Sequence, residues 1–229
     1  MMLRENINLI LRKFESLIDR ILNVAFDFYY RVETRQMIEP SEMDIDEADL
    51  KDTKRYQGSH VRILRKAFRE IGMDLSGYHF IDLGSGKGRA MFIASLFGVK
   101  KCIGIEIAHK IQEICKKNID TFCRRTGIDR EKFELFQGNA MDYNISTSNN
   151  LIYLFNPFNL NIVELVAQKL KNSSLTPGTD IILSINPRSD SILNSVGYGC
   201  FKEIPNRNPS KTIRFYRLSP DEIPTMEGF

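Results

Sequence analysis

The sequence contains no tryptophan and only three histidines, His60, His79 and His109, and its four cysteines (Cys102, Cys115, Cys123, Cys200) form no C-x-x-C pair. Neither a disulfide framework nor a zinc site therefore has ligands at usable spacing, and no metal is expected. Reduced thiols in a cytoplasm are the expectation, with Cys115 and Cys123 two turns apart on one predicted helix as small buried hydrophobes. Long apolar runs are also missing. Charges interrupt each of them well short of the ~18 residues that a membrane span requires, and no cleavable signal pattern opens the chain. A dense Lys/Arg block is absent too. The net charge is only +3, but residues 1 to 53 carry 12 acids against 7 bases and the remainder 17 against 25. A mildly basic body fits an acidic or nucleic-acid partner; without a concentrated block, a solvated surface is the simpler reading.

What is present begins with a helix. Apolar residues recur at Ile7, Leu11, Phe14, Ile18, Ile21, Ala25 and Phe28 in alternating steps of four and three, which predicts a long amphipathic helix. Its polar positions mix Arg4, Arg12, Lys13 and Arg20 with Glu5, Glu15, Asp19 and Asp27, so the strongly basic face of a membrane-surface helix is missing. Packing on its own domain is the first reading, a homodimer seam the second and membrane contact the third. Residues 33 to 53 are acidic and aperiodic, an irregular connector or flap. Residues 1–55 thus form a helix and connector, and residues 56–229 a domain. With 42% hydrophobic content, 229 residues suffice for one sizeable core plus such an appendage.

From Ser59, taken as N-cap, a helix runs to Ile71 and closes at Gly72. A strand ending at Asp82 follows, then a helix from Lys87 to Phe97, a strand from Cys102 to Ile107 and a long helix ending near Gly127. Strands near Phe133–Phe136, Leu151–Phe155 and Asp180–Ile185 come next, with a helix around Ile162–Leu170 before the last of them. A short helix at Ser191–Ser195 leads to Phe201–Ile204 and Thr212–Leu218, which read as a closing hairpin. The alternation predicts an α/β fold: a three-layer Rossmann-like sheet, mostly parallel, with a C-terminal antiparallel hairpin and the long N-terminal helix before it.

Chemistry concentrates at Phe80-Ile81-Asp82-Leu83-Gly84-Ser85-Gly86-Lys87-Gly88-Arg89. A dinucleotide fingerprint would place its third glycine at Arg89, and a phosphate-binding P-loop would need glycine at Ile81 and Ser or Thr at Gly88. Both readings fail. Asp82, at the carboxyl end of a strand, would repel phosphate but pair with an ammonium group such as the amino end of a methionine moiety, which points to S-adenosylmethionine (SAM). Glycines at 84, 86 and 88 would let backbone N–H groups approach the carboxylate of that moiety. Glu106, ending the second strand, could accept from both ribose hydroxyls. Gly138, Asn139, Ala140, Met141 and Asp142 form a polar turn able to face an adenine amino group, and Phe155-Asn156-Pro157-Phe158 ends the fourth strand with a stiffened amide beside an aromatic wall.

These features, in this order, resemble the class I (Rossmann-like) SAM-dependent methyltransferases, with D-L-G-S-G-K-G as glycine motif and G-I-E-I as ribose motif. The resemblance spans about residues 56 to 218. The stretch from Tyr56 and the run L-I-Y-L-F-N-P-F are similar to an uncharacterised bacterial branch, and the loop and acidic strand end resemble the non-SET protein-lysine methyltransferases. The resemblance implies SAM as cofactor. Asp82, Gly84, Ser85, Gly86 and Gly88 would hold the methionine end, Glu106 and Ile107 the ribose, and Asn139 and Ala140 the adenine. Asn156, Pro157 and Phe158 would face the methyl group, with Tyr56 closing over it or serving as a satisfied core tyrosine. Many members carry Asp where Asn139 stands, which leaves Asp142 or the backbone as an alternative. The amino-methylating branch shows N-P-P before an aromatic, whereas this chain reads N-P-F-N, so an amine acceptor and a purely structural turn both stay open. The methyl acceptor is expected to be an amine, a protein side chain foremost. The alternatives are an RNA, suggested by Lys202, Arg207, Lys211, Arg214 and Arg217, a small molecule, or a SAM-binding interaction module without catalysis.

Overall fold

The structure is a computed structural model that describes residues 2–46, 55–145, 149–155, 160–173, 179–185 and 187–218. Its elements in chain order are α1 (Met2–Tyr30), α2 (Val61–Glu70), β1 (His79–Leu83), α3 (Arg89–Leu96), β2 (Lys101–Glu106), α4 (His109–Thr126), β3 (Phe133–Gln137), β4 (Asn150–Leu154), α5 (Leu160–Ser173), β5 (Ile181–Ser184), α6 (Asp190–Val196), β6 (Tyr198–Ile204) and β7 (Ile213–Leu218). The strands form one seven-stranded sheet in the order β3-β2-β1-β4-β5-β7-β6. Its first five members run parallel, while β7 pairs antiparallel with β5 and β6 antiparallel with β7. The predicted α/β architecture and closing hairpin are therefore both present.

Alternation of side chains along the strands divides the core between two faces. Phe80, Leu151, Tyr153, Ile181 and Leu183 pack with α2, α3 and α4, where Phe92 stacks on Phe122 at 4.6 Å between centroids. Ile81, Leu83, Ile103, Ile152 and Leu154 point the other way, onto Val163, Val166 and Leu170 of α5 and Leu193 of α6. Every predicted strand and helix of the sheet layers lies within about two residues of its expected place, except that α5 runs on to Ser173 rather than Leu170 and β6 begins at Tyr198 rather than Phe201. Gly72 and Gly127 close α2 and α4 in the left-handed region, at φ 72° and 75°.

Two expectations near the N-terminus need correction. Ser59 does not cap α2; His60 holds the N-cap position without a side-chain bond, and the first N–H of the helix, on Val61, donates to Asn23 of α1 at 3.0 Å. The Ser59 hydroxyl is engaged with Tyr153 instead. α1 does pack on the body, but not through its apolar stripe: Ile7, Phe14, Ile21 and Phe28 are exposed, while Asp19, Phe26 and Asp27 are buried. The physical reason is ionic. Asp19, fully buried, receives Arg62 at 2.6 Å and Lys211 at 2.7 Å, and Glu15 receives Arg207 at 2.9 Å. Burial works against the Asp19 charge, but the hydrogen bonds from Arg62 and Lys211 outweigh it and hold the carboxyl below its ordinary range.

The connector is irregular over its described part, 33–46, yet anchored. Thr34 bonds Asp27 through both its N–H and its hydroxyl, Glu33 receives Lys87, Ile38 bridges to Tyr56, and the Asp44 carboxylate accepts from the Lys110 N–H in the first turn of α4. An acid at a helix N-terminus is favoured by the helix dipole and by its unpaired N–H groups.

Candidate active site

β1 and β4 are neighbours although β2 and β3 separate them in sequence, so the strand order reverses between them and opens a crevice at their carboxyl ends. A cavity lies there. Asp82, Leu83, Gly84 and Ser85 from the end of β1 line it, with Glu106 and Ile107 after β2, Gly138, Asn139 and Ala140 after β3, and Tyr153 and Phe155 at the end of β4. Residues from the N-terminal side complete the wall: Met43 of the connector and Arg55, Tyr56, Gln57, Gly58 and Ser59 before α2.

One acid in this cavity stands without a partner among the described residues. Asp82 is 4% exposed, and no described residue donates to it. Burial, reinforced by the nearby Glu106 charge, pushes its carboxyl up to about 8. The Ser85 hydroxyl is also unpaired among the described residues, but it is enclosed against Gly104 and Met91 and does not open on the cavity. Buried polar groups are nearly always satisfied, so an acid such as Asp82 in a cavity marks a place where a ligand can supply the missing partner. A cationic donor on that ligand would ionise Asp82.

Glu106 differs. One of its oxygens accepts from the Gly86 N–H at 2.8 Å and the other from the Ala108 N–H at 2.9 Å. Burial raises its pKa while backbone N–H groups of Ala108, Gly86 and Ile107 oppose the rise, so the carboxylate is held in one orientation. Cofactor hydroxyls suit that arrangement.

The glycine loop works otherwise than its sequence predicts. The N–H groups of Gly84 and Ser85 both donate to the Ile105 carbonyl, that of Gly86 to Glu106 and that of Gly88 to the Ser85 carbonyl. They shape the loop and are not free for a ligand carboxylate. Gly86, at φ 54°, lies under the Tyr56 ring, where an added Cβ would come within 2.1 Å of a ring carbon. Gly88, carried over to the cofactor by resemblance, faces away: a Cβ there would meet the Cys115 sulfur at 2.8 Å, so its role is close packing of loop against α4. Asp142 is exposed on its turn and does not line the cavity, whereas Gly138, Asn139 and Ala140 do.

At the other end, the Tyr153 and Phe155 rings lie parallel, 6.4 Å apart, and form an aromatic wall. Asn156, Pro157 and Phe158, expected to face the methyl group, lie outside the described residues. Tyr56 reaches the cavity, but its hydroxyl donates to the Thr34 carbonyl at 2.9 Å and burial raises its pKa, so it acts as a wall and not as a base. A network that sequence reasoning missed fixes this wall. Lys87, almost fully buried, pairs with Glu33 at 2.7 Å and lies 5.3 Å from the Tyr56 ring centre; Asn118 donates to the carbonyls of Glu33 and Lys87 and accepts from the Glu33 N–H. Arg89 binds Thr34, Ser59 and Asp27. No local signal marks these partners, because they lie 30 to 85 residues apart in the chain. Among the described residues no cluster of His, Cys, Asp or Glu could hold a metal ion.

Comparison with known proteins bears on the family and the fold. The family model described as histone methylation protein DOT1 matches residues 36–189. A ribosomal protein L11 methyltransferase of Dictyoglomus turgidum is 28% identical over 143 residues, covering 62% of this chain and 42% of that protein, so the match spans less than half of the relative. Among solved structures, an RNA methyltransferase from Salinibacter ruber in complex with S-adenosyl-L-homocysteine superposes with a TM-score of 0.53 at 21% identity, covering 71% of this chain and 94% of that one. A geranyl diphosphate methyltransferase superposes at 0.54 with 12% identity, over 70% and 79% of the two chains. At these identities the two structures show a shared fold, and the acceptors in their names differ.

Proposed function

The chain belongs to this DOT1 family of class I SAM-dependent methyltransferases, and from that premise we propose that it methylates a nitrogen of a protein side chain. The observation that carries the cofactor assignment is the buried Asp82 at the cavity, which takes no hydrogen bond from the described residues. SAM, when bound, supplies a methyl group activated by its sulfonium. Asp82 would receive the ammonium group of the methionine end, Glu106 the ribose hydroxyls, and the turn at Asn139 and Ala140 the adenine edge. With the N–H groups of the loop engaged internally, the carboxylate would draw donors from polar side chains of the cavity wall, which include Gln57 and Arg55.

An uncharged amine needs no base to attack a sulfonium methyl, only alignment and removal of water. The described wall serves that purpose. Tyr153 and Phe155 offer aromatic faces, Met43 and Tyr56 cover the cavity from the N-terminal side, and none of these presents a free catalytic acid or base. A protein acceptor is favoured over RNA by the fate of the five C-terminal cations. Lys202 donates to the Glu70 carbonyl, Arg207 pairs with Glu15, Lys211 with Asp19, Arg214 with Glu203 and Asp190, and Arg217 lies over the Phe201 ring. They bind the fold to itself, which removes the sequence argument for a phosphate backbone.

Incubating fractionated lysate with methyl-labelled SAM and the protein tests the reading. Label should enter a fraction that is sensitive to protease and resistant to RNase, and Asp82→Ala should abolish it. Loss of label on RNase treatment would transfer the activity to RNA. SAM binding with no label in any fraction would make the chain a non-catalytic module.

A further inference from the structure

α1 carries two opposite faces. Toward the body it turns Glu15, Asp19 and Asp27, each in an ion pair there, Asp27 with Arg89 and Arg35. Away from it, in strict steps of three and four, run Ile7, Ile10, Phe14, Leu17, Ile21, Val24 and Phe28, all exposed, Phe28 at 85%. With about 3.6 residues per turn the two rows lie roughly half a turn apart, and the outer row extends about 30 Å. Scattered single hydrophobes are ordinary on a surface; a continuous row of this length is not.

The ion pairs also sort charge. The acids of α1 with described side chains face inward and are neutralised, whereas Lys13 and Arg20 along one edge of the apolar row, and Arg31 just past the helix end, are exposed and form no ion pair among the described residues. A second copy of the chain would answer this surface poorly. Packed antiparallel, Lys13 would approach Arg20 of the copy; packed parallel, both would face Ile18 and Ala25. The sequence ranks a membrane last because acids dilute the polar face of the helix, and the structure removes those acids to the body side.

We propose that this face of α1 lies on an anionic lipid surface, its apolar row buried at the headgroup boundary and Lys13, Arg20 and Arg31 against the headgroups. No helix among the described residues is long and apolar enough to cross a membrane, so the contact is along the surface. The contact does not depend on the methyl acceptor or on the cofactor.

The test is co-sedimentation of the full chain with vesicles of equal parts phosphatidylcholine and phosphatidylglycerol, against vesicles of phosphatidylcholine alone. Binding should be about tenfold greater on the anionic vesicles and should fall as salt rises. The double variant Phe14→Asp, Ile21→Asp should abolish it, and Lys13→Glu with Arg20→Glu should lower it about tenfold. Both variants leave the body-facing row intact and should keep the unfolding temperature and SAM binding of the parent. Failure to sediment with anionic vesicles, or sedimentation unchanged by the double variant, would overturn the proposal. So would a dimer in light scattering that the double variant splits while vesicles stay unbound; the face would then belong to a second copy.

Discussion

Among the described residues stand two pairs of buried carboxylates, and their surroundings differ in one respect. Asp19 and Asp27, on α1, are each met by cations of the chain itself: Arg62 and Lys211 for the first, Arg89 and Arg35 for the second. Asp82 and Glu106, at the strand ends, have none among the described residues, and burial with the nearby Glu106 charge raises Asp82 instead. A buried acid with its cation supplied holds the fold together, because removing either partner leaves the other uncompensated. A buried acid with no cation weakens the empty protein and is explained by a ligand that brings one. Position in the sequence does not separate the two cases; partners do.

Neutralising one member of each pair should therefore have opposite consequences. Asp82→Asn should lower SAM affinity about a hundredfold, the effect of removing one partner of a buried charged hydrogen bond, while leaving the unfolding temperature of the empty protein unchanged or higher. Calorimetric titration together with a melting curve reads both. Asp19→Ala should do the reverse, destabilising the fold by about 2–3 kcal/mol, a buried-pair value discounted for the partly exposed Arg62 and Lys211, with SAM affinity within about threefold of the parent below the melting transition. Its contribution should be present above the unfolded carboxyl value of about 4 and vanish as pH falls below it, since the folded value is the lower one. Gly86→Ala sits between the two regions. The left-handed backbone and the Tyr56 ring should together cost about 2 kcal/mol of stability, and displacement of Glu106 should weaken SAM binding about tenfold. Tyr56→Phe removes only the bond to Thr34 and should change stability by about 1 kcal/mol or less, with methyl transfer largely retained.

Much of the frame was legible in the sequence because it is local. Strand alternation, the acid-then-glycine break after Leu83 and the spacing to Glu106 are short-range signals, and each of those residues stands where they predict. The orientation of α1 was not legible. Its apolar row has the period of a packing face, but Glu15 and Asp19 pair with residues as far as 192 positions away, and those pairs turn the row outward. The glycines were legible as a loop, but what each of them does there was not. Gly88 packs against Cys115, and the loop N–H groups close on Ile105 and Glu106, because β2 and α4 approach only in the folded chain. The same holds for Ser59 and Asn23, where the true cap arrives from another helix. The expected methyl-facing segment, Asn156 to Phe158, lies outside the described residues, and its role rests on the family pattern.

The central claim is that Asp82 is a buried acid waiting for a cation. Its carboxyl carbon can be followed by NMR as a function of pH, with Asp82→Asn identifying the signal, in the empty protein and with saturating S-adenosylhomocysteine. The account predicts a midpoint near 8 without ligand that drops by several units when the ligand ammonium group binds. An ordinary carboxyl midpoint in the empty protein, or one that the ligand leaves unmoved, would contradict it.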